Sequence, residues 1–222
     1  MTTTIASVTP STMPAQPKWL SMLAQVVSYL LHPLFIPFMV VLFVLYRHPV
    51  NVLLTDEPIR LRIAAMSFIN TVLYPGLFVF LIWRLKFIPS IYLESQRDRI
   101  IPLVSCIFFY FWAFYVSRNW EVIPQAVHQW LLGVFLTSSA AMFVNIFMKI
   151  SLHTLAAGGA LSFFIIQTAA DPNWPLGALA PVALLAGLVG TSRLIRRAHE
   201  PGEIYAGYLA GGICQVAAYF IV

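Results

Sequence analysis

Residues 100–117 read IIPLVSCIFFYFWAFYVS, eighteen positions without one charged side chain. A helix crosses the hydrocarbon core of a bilayer with about 20 predominantly apolar residues, and this stretch with its flanks meets that length. Similar stretches recur at about Leu20–Tyr46, Ile63–Trp83, Val127–Met148, Leu155–Ala170, Leu176–Thr191 and Ile204–Val222. The expected fold is all-α, a polytopic transmembrane helix bundle with about six to seven spans. The first stretch holds Pro33 and Pro37, and the second is interrupted by Tyr74-Pro75-Gly76, so both are expected to kink or break.

Composition agrees with the spans. Of 222 residues, 60% are hydrophobic, and only 13 Lys or Arg and 8 Asp or Glu are present, 21 charges in all. A soluble domain carries roughly 25% charged residues, so an ordinary cytosolic globular protein is excluded. A disordered chain would need low hydrophobicity and high net charge. Cys106 and Cys214 are too few for a disulfide framework and lie in apolar stretches. The net charge of +5 fits cations at membrane boundaries better than nucleic-acid binding. Residues 1–17 are rich in Thr, Ser and Pro and read as a mobile polar tail, with residues 18–222 forming a single transmembrane domain.

Counting crossings from the N-terminal side brings Arg84–Arg99, Lys149–His153 and Ser192–Glu203 to the same membrane face. Twelve of the 21 charges fall in these three segments. Arg84, Lys86, Arg196 and Arg197 read as boundary anchors. The remainder suits phosphate chemistry. A carboxylate at Glu203, four residues after His199, can hold one imidazole nitrogen as N–H and leave the other free to attack. Arg193 offers a bidentate fork for phosphate oxygens. Lys149, Ser151 and His153 add a cation, a hydroxyl and a second imidazole, and Arg97 and Arg99 add two more cations. Multiple cations, two histidines and an orienting acid match what phosphoryl transfer demands: charge stabilisation, a nucleophile and a proton donor for the leaving oxygen. His199-Glu200-Pro201-Gly202-Glu203 lacks the second His of a zinc-protease helix, and no metal site is expected.

Ser192-Arg193, five residues, His199, three residues, Glu203 resembles the third signature of the type 2 phosphatidic acid phosphatase superfamily, in which the final acid is Asp. Lys149-Ile150-Ser151-Leu152-His153 resembles the second, usually Pro-Ser-Gly-His. Arg97-Asp98-Arg99-Ile100-Ile101-Pro102 is a looser match to the first, a Lys, six residues and Arg-Pro. The resemblance covers roughly residues 84–212. It implies that His199 is the nucleophile, passing through a phosphohistidine, that Glu203 orients it, and that His153 is the general acid. It implies that Arg193 and Arg99 clamp the phosphate with help from Ser151, and that neither metal nor other cofactor is required. Arg97 or Lys149 would replace the missing Lys of the first signature, because Tyr92 stands seven positions before Arg99. The sequence departs further at Glu203, Leu152 and Ile150.

The implied activity is hydrolysis of a phosphomonoester or diphosphate on a lipid. The partners are that lipid and the bilayer, not nucleic acid. The implied location is the bacterial inner membrane, with the site on the outer, periplasmic face. A lipid phosphotransferase, or a non-enzymatic lipid-binding or transport protein on a diverged scaffold, stays open beside it. Ionisable or polar mid-span residues would favour transport, and only Asn70 and Asn145 stand out. His32 beside Pro33 would line the site if the first segment breaks there and otherwise reads as structural, as do His48 and His128.

Overall fold

The structure, a computed structural model, describes residues 17–91, 93 and 95–222. The polar tail expected at residues 1–17 therefore lies outside the described residues apart from Pro17, as do Tyr92 and Glu94. Every regular element among the described residues is helical. In chain order they are α1 (Lys18–Leu30), α2 (Ile36–Arg47), α3 (Pro49–Leu54), α4 (Glu57–Phe68), α5 (Tyr74–Arg84), α6 (Ile100–Arg118), α7 (Gln125–Val144), α8 (Leu152–Ala170), α9 (Leu179–Ile195) and α10 (Pro201–Ile221). A π-helical turn, Ile69–Leu73, joins α4 to α5, and a short 3-10 turn precedes α9. Among the described residues, six continuous stretches are long and apolar enough to cross a membrane: Glu57–Arg84, Ile100–Arg118, Gln125–Val144, Leu152–Ala170, Leu176–Ile195 and Pro201–Ile221.

Proline shapes the two irregular segments in different ways. Pro33 lacks an N–H and pushes His32 out of helical backbone, and the chain breaks there between α1 and α2. At Pro75 the chain does not break. The wide turn Ile69–Leu73 absorbs the missing donor, while the Asn70 amide and Thr71 hydroxyl donate to the carbonyls of Met66 and Ser67 at 2.9 and 2.7 Å.

Although α2 is only 12 residues long, about 18 Å, it joins the two faces. Its leading His32 stacks edge-on against His153 at the start of α8. Its trailing His48 meets Asp171 at the end of α8, with Nε2 and Oδ2 2.9 Å apart. It therefore runs parallel to α8, shorter than the six long apolar stretches. Gln125 at the start of α7 donates to the carbonyl of Val222, on the same face as His48.

The bundle centres on α8 and α10, which are packed most intimately. A Cβ on Gly158 would lie 2.6 Å from Tyr208 Cα, and one on Gly211 would lie 2.8 Å from Gly159 N. No larger side chain fits either place, so the two backbones approach directly, as small residues allow between membrane helices. Trp130 anchors the opposite side, donating its indole N–H to the Pro37 carbonyl at 2.8 Å and tilting against Phe163. Large apolar side chains such as Phe220, Ile213, Leu184 and Phe108 are exposed on the outside, as a lipid-facing surface requires.

Candidate functional site

Three helices begin at one end of the bundle, and the three polar clusters are their starting points. Arg99 is the residue before α6, Ser151 the residue before α8, and Glu200 the residue before α10. Backbone-directed hydrogen bonds tie the starts together. Arg99 Nη1 donates to the Ile150 carbonyl at 2.8 Å, and Ser151 N donates to the Glu203 carbonyl at 3.3 Å. Gln96 and Asn145 exchange side-chain-to-carbonyl bonds of 2.7 and 2.9 Å. The convergence expected from the crossing count is thus realised. Helix N-termini carry partial positive charge and unpaired N–H groups, so three of them at one end favour an anion.

Glu203 organises the α10 start. Its Oε2 lies 2.6 Å from His199 Nδ1 and 3.3 Å from Glu200 N, the second contact being half of a capping box whose other half is the Glu200 side chain. His199 stands just outside the helix rather than on its face. The contact predicted from four-residue spacing is therefore made through the cap, with Pro201 in the first turn where its missing N–H costs nothing. Because the carboxylate accepts at Nδ1, Nε2 of the neutral ring carries a lone pair. Burial pulls the His199 pKa below its ordinary value, the Glu203 hydrogen bond opposes that, and the Arg99 and Arg193 charges add to the lowering. The ring is neutral at physiological pH.

The turn that delivers His199 is strained. Arg197 sits at φ 50°, where the α9 end reverses, with Ala198 N donating to the Arg193 carbonyl. Leu93, whose carbonyl accepts from Arg99 Nε at 3.0 Å, also has φ 50°. Left-handed backbone at non-glycine residues costs roughly 1–2 kcal/mol and concentrates at functional sites.

The other predicted residues divide into two groups. Arg193 Nη1 donates to Ser28 Oγ at 3.1 Å, while its buried Nε has no acceptor among the described residues. His153 Nε2 lies 3.1 Å from the Ser28 carbonyl, one of the otherwise unpaired carbonyls at the end of α1. Arg193 acts electrostatically on both His153 and His199. Arg99 is buried, and burial lowers its pKa while Glu203 opposes this; it remains a cation. These five residues, His199, Glu203, His153, Arg193 and Arg99, form one cluster.

Ser151, Arg97 and Lys149 stand apart from it. Ser151 is fully buried, and its hydroxyl caps α8 by accepting from Thr154 N at 3.5 Å. Arg97 is exposed and Lys149 half-buried, and among the described residues neither is hydrogen-bonded to the cluster. No three His, Cys, Asp or Glu side chains converge as metal ligands among the described residues.

Two site residues come from the α1–α2 break. Ser28 contacts Arg193, His153 and also Ser192, whose hydroxyl lies 3.3 Å from its own. His32, which the sequence placed at the site only if the first segment breaks, has its ring centroid 5.3 Å from that of His153. The remaining histidines do face structural partners: His48 pairs with Asp171, and His128 lies 3.0 Å from Ser117 Oγ. Polar side chains also occur deeper than the sequence suggested. Gln167 donates to Gln129 Oε1 at 2.7 Å, and Gln215 donates to the Gln129 carbonyl at 3.3 Å, all three buried inside the bundle.

Below the cluster lies an apolar cavity of about 360 Å³, walled by α2, α5, α6, α7 and α8 and reaching down to Tyr110, Trp130 and Gln215. Compared with family models, curated proteins and solved structures, the chain finds no match in any of the three.

Proposed function

We propose that the protein is an integral membrane lipid-phosphate phosphatase that works through a phosphohistidine. The observation that carries the reading is the His199–Glu203 pair beside Arg193 and Arg99 at a meeting of three helix N-termini. His199 Nε2 attacks phosphorus, and the bond from phosphorus to the lipid oxygen breaks. His153 takes up the proton that the bound phosphate carries and passes it to the departing alkoxide or phosphate. The neutral His153 then takes a proton from water, whose oxygen attacks the phosphohistidine, releasing inorganic phosphate and restoring both rings. Arg193 and Arg99 hold the non-bridging oxygens throughout, where charge accumulates. The orphaned N–H of Arg193 Nε suits such an oxygen. The reading places the chain in the bacterial inner membrane with the site on the outer face, as the signature resemblance implies.

Phosphate release from a panel of lipid phosphates and diphosphates, in detergent with EDTA present, tests this. Wild type is expected to turn over at least one of them, and His199→Ala and His153→Ala to lose that turnover. Undiminished turnover in His199→Ala, or silence on the whole panel, would overturn it.

A further inference from the structure

The cavity beneath the cluster has a chemistry of its own. None of the five clustered residues lines it. It begins at their immediate neighbours: Leu152, next to His153; Leu93, whose carbonyl Arg99 holds; and His32. From there it descends along α7 from Ala141 to Trp130, about 16 Å of helix. Its wall is mostly apolar, with Leu103, Val134 and Leu155 among its residues, and Thr137, Ser138 and Gln215 also face it. Apolar cavities stay dry, and one of roughly 150 Å³ already binds benzene. This one is more than twice as large and lies in a bundle surrounded by hydrocarbon chains.

His32 is the polar residue at the boundary between this cavity and the phosphate cluster. Its Nδ1 accepts the Leu34 N–H at 3.2 Å, which fixes the neutral ring as the Nε2–H tautomer. Among the described residues no acceptor is bonded to Nε2. A donor is therefore held at the top of a hydrocarbon-sized cavity, with its ring against His153. Resting on the phosphatase reading above, we propose that the cavity takes one hydrocarbon chain of the lipid phosphate and that His32 Nε2–H donates to the oxygen joining that chain to phosphorus. His32 lies outside all three signature-like segments. It would add recognition of the ester junction to a site whose cations recognise only phosphate.

Binding to the protein in detergent, measured calorimetrically with the inactive His199→Asn variant as background, separates the possibilities. The probes are dodecyl phosphate and inorganic phosphate. Adding His32→Ala is expected to weaken dodecyl phosphate about tenfold, the size of one hydrogen bond to a charged group, and inorganic phosphate less than twofold. His32→Gln, which keeps an N–H donor, should recover most of the loss. Val134→Trp, which fills the cavity, should weaken dodecyl phosphate alone. Equal binding of dodecyl phosphate with and without His32 overturns the proposal. So does an equal loss for both probes, or a background protein that binds neither. If wild type binds dodecyl phosphate as expected and His32→Ala weakens it, yet no lipid phosphate is hydrolysed, this proposal stands and the phosphatase reading fails.

Discussion

One carboxylate oxygen, Glu203 Oε2, sits 2.6 Å from His199 Nδ1 and 3.3 Å from the Glu200 backbone N–H. The group that orients the proposed nucleophile is the same group that caps α10, so removing it has two separable effects. Glu203→Gln is expected to cut kcat by about 10²–10⁴-fold, because the tautomer and orientation of His199 are no longer enforced. It should lower stability by only about 1 kcal/mol, the worth of a cap. Steady-state kinetics and thermal unfolding in detergent read the two effects. A kcat loss no larger than expected from unfolding would contradict the orienting role.

The depressed pKa of His199 sets the pH profile. The free nucleophile must be neutral, so the acid limb of kcat/KM is expected below pH 6.5, the ordinary histidine value. Stability follows the same sign. The unfolded chain takes up this proton before the folded one does, so the contribution of His199 is complete above pH 6.5. It is lost as pH falls from there toward the folded pKa. An acid limb above pH 6.5 would contradict the assignment.

Arg193 contributes a fork rather than a point charge. Its Nη1 bonds Ser28 Oγ while its buried Nε has no acceptor among the described residues. Arg193→Lys keeps the charge but loses the second donor, and is expected to weaken orthovanadate inhibition about tenfold or more. Equal inhibition would show that charge alone suffices.

Close packing of α8 on α10 keeps His153 and His199 at adjoining helix starts. In Gly211→Ala the new methyl would lie 2.8 Å from Gly159 N and 3.0 Å from Leu155 C. Both contacts are backbone, so the helices must separate. A loss of about 1–3 kcal/mol is expected, as for overpacking elsewhere, together with reduced kcat. Differential scanning fluorimetry and turnover check the pair, and a variant as stable and active as wild type would show that the approach does not position the site.

The buried glutamines should matter less than burial suggests. Gln167→Leu removes the 2.7 Å bond to Gln129 Oε1, but polar bonds within membrane bundles average only about 0.6 kcal/mol. A cost under about 2 kcal/mol in unfolding, with turnover intact, is the expected result. Loss of turnover would give the glutamines a functional role.

Legibility from sequence followed the reach of the interactions. α6 is plain in residues 100–117 because nothing charged interrupts them. The start of α4 is hidden because Arg60 and Arg62 fall inside it. Arg60 is accommodated by reaching back to the carbonyls of Val52 and Thr55 and to the Glu57 carboxylate, so the helix begins six residues before the expected Ile63. The His199–Glu203 contact was legible because it is local. Ser28 was not, because its partners lie on α8 and α9, and His32 was legible only on the condition, met in the structure, that the first segment breaks at Pro33. The glutamines escaped notice because each is a single residue within its own apolar helix, 38 and 86 positions from its partner.

The covalent intermediate is the most direct test of the central claim. The protein is mixed with a lipid phosphate carrying radiolabelled phosphorus, quenched in alkaline detergent, and its labelled residue mapped. An acid-labile, alkali-stable label on His199 is expected, absent from His199→Ala. Rapid hydrolysis with no label on His199, or with the label on another residue, would contradict the claim.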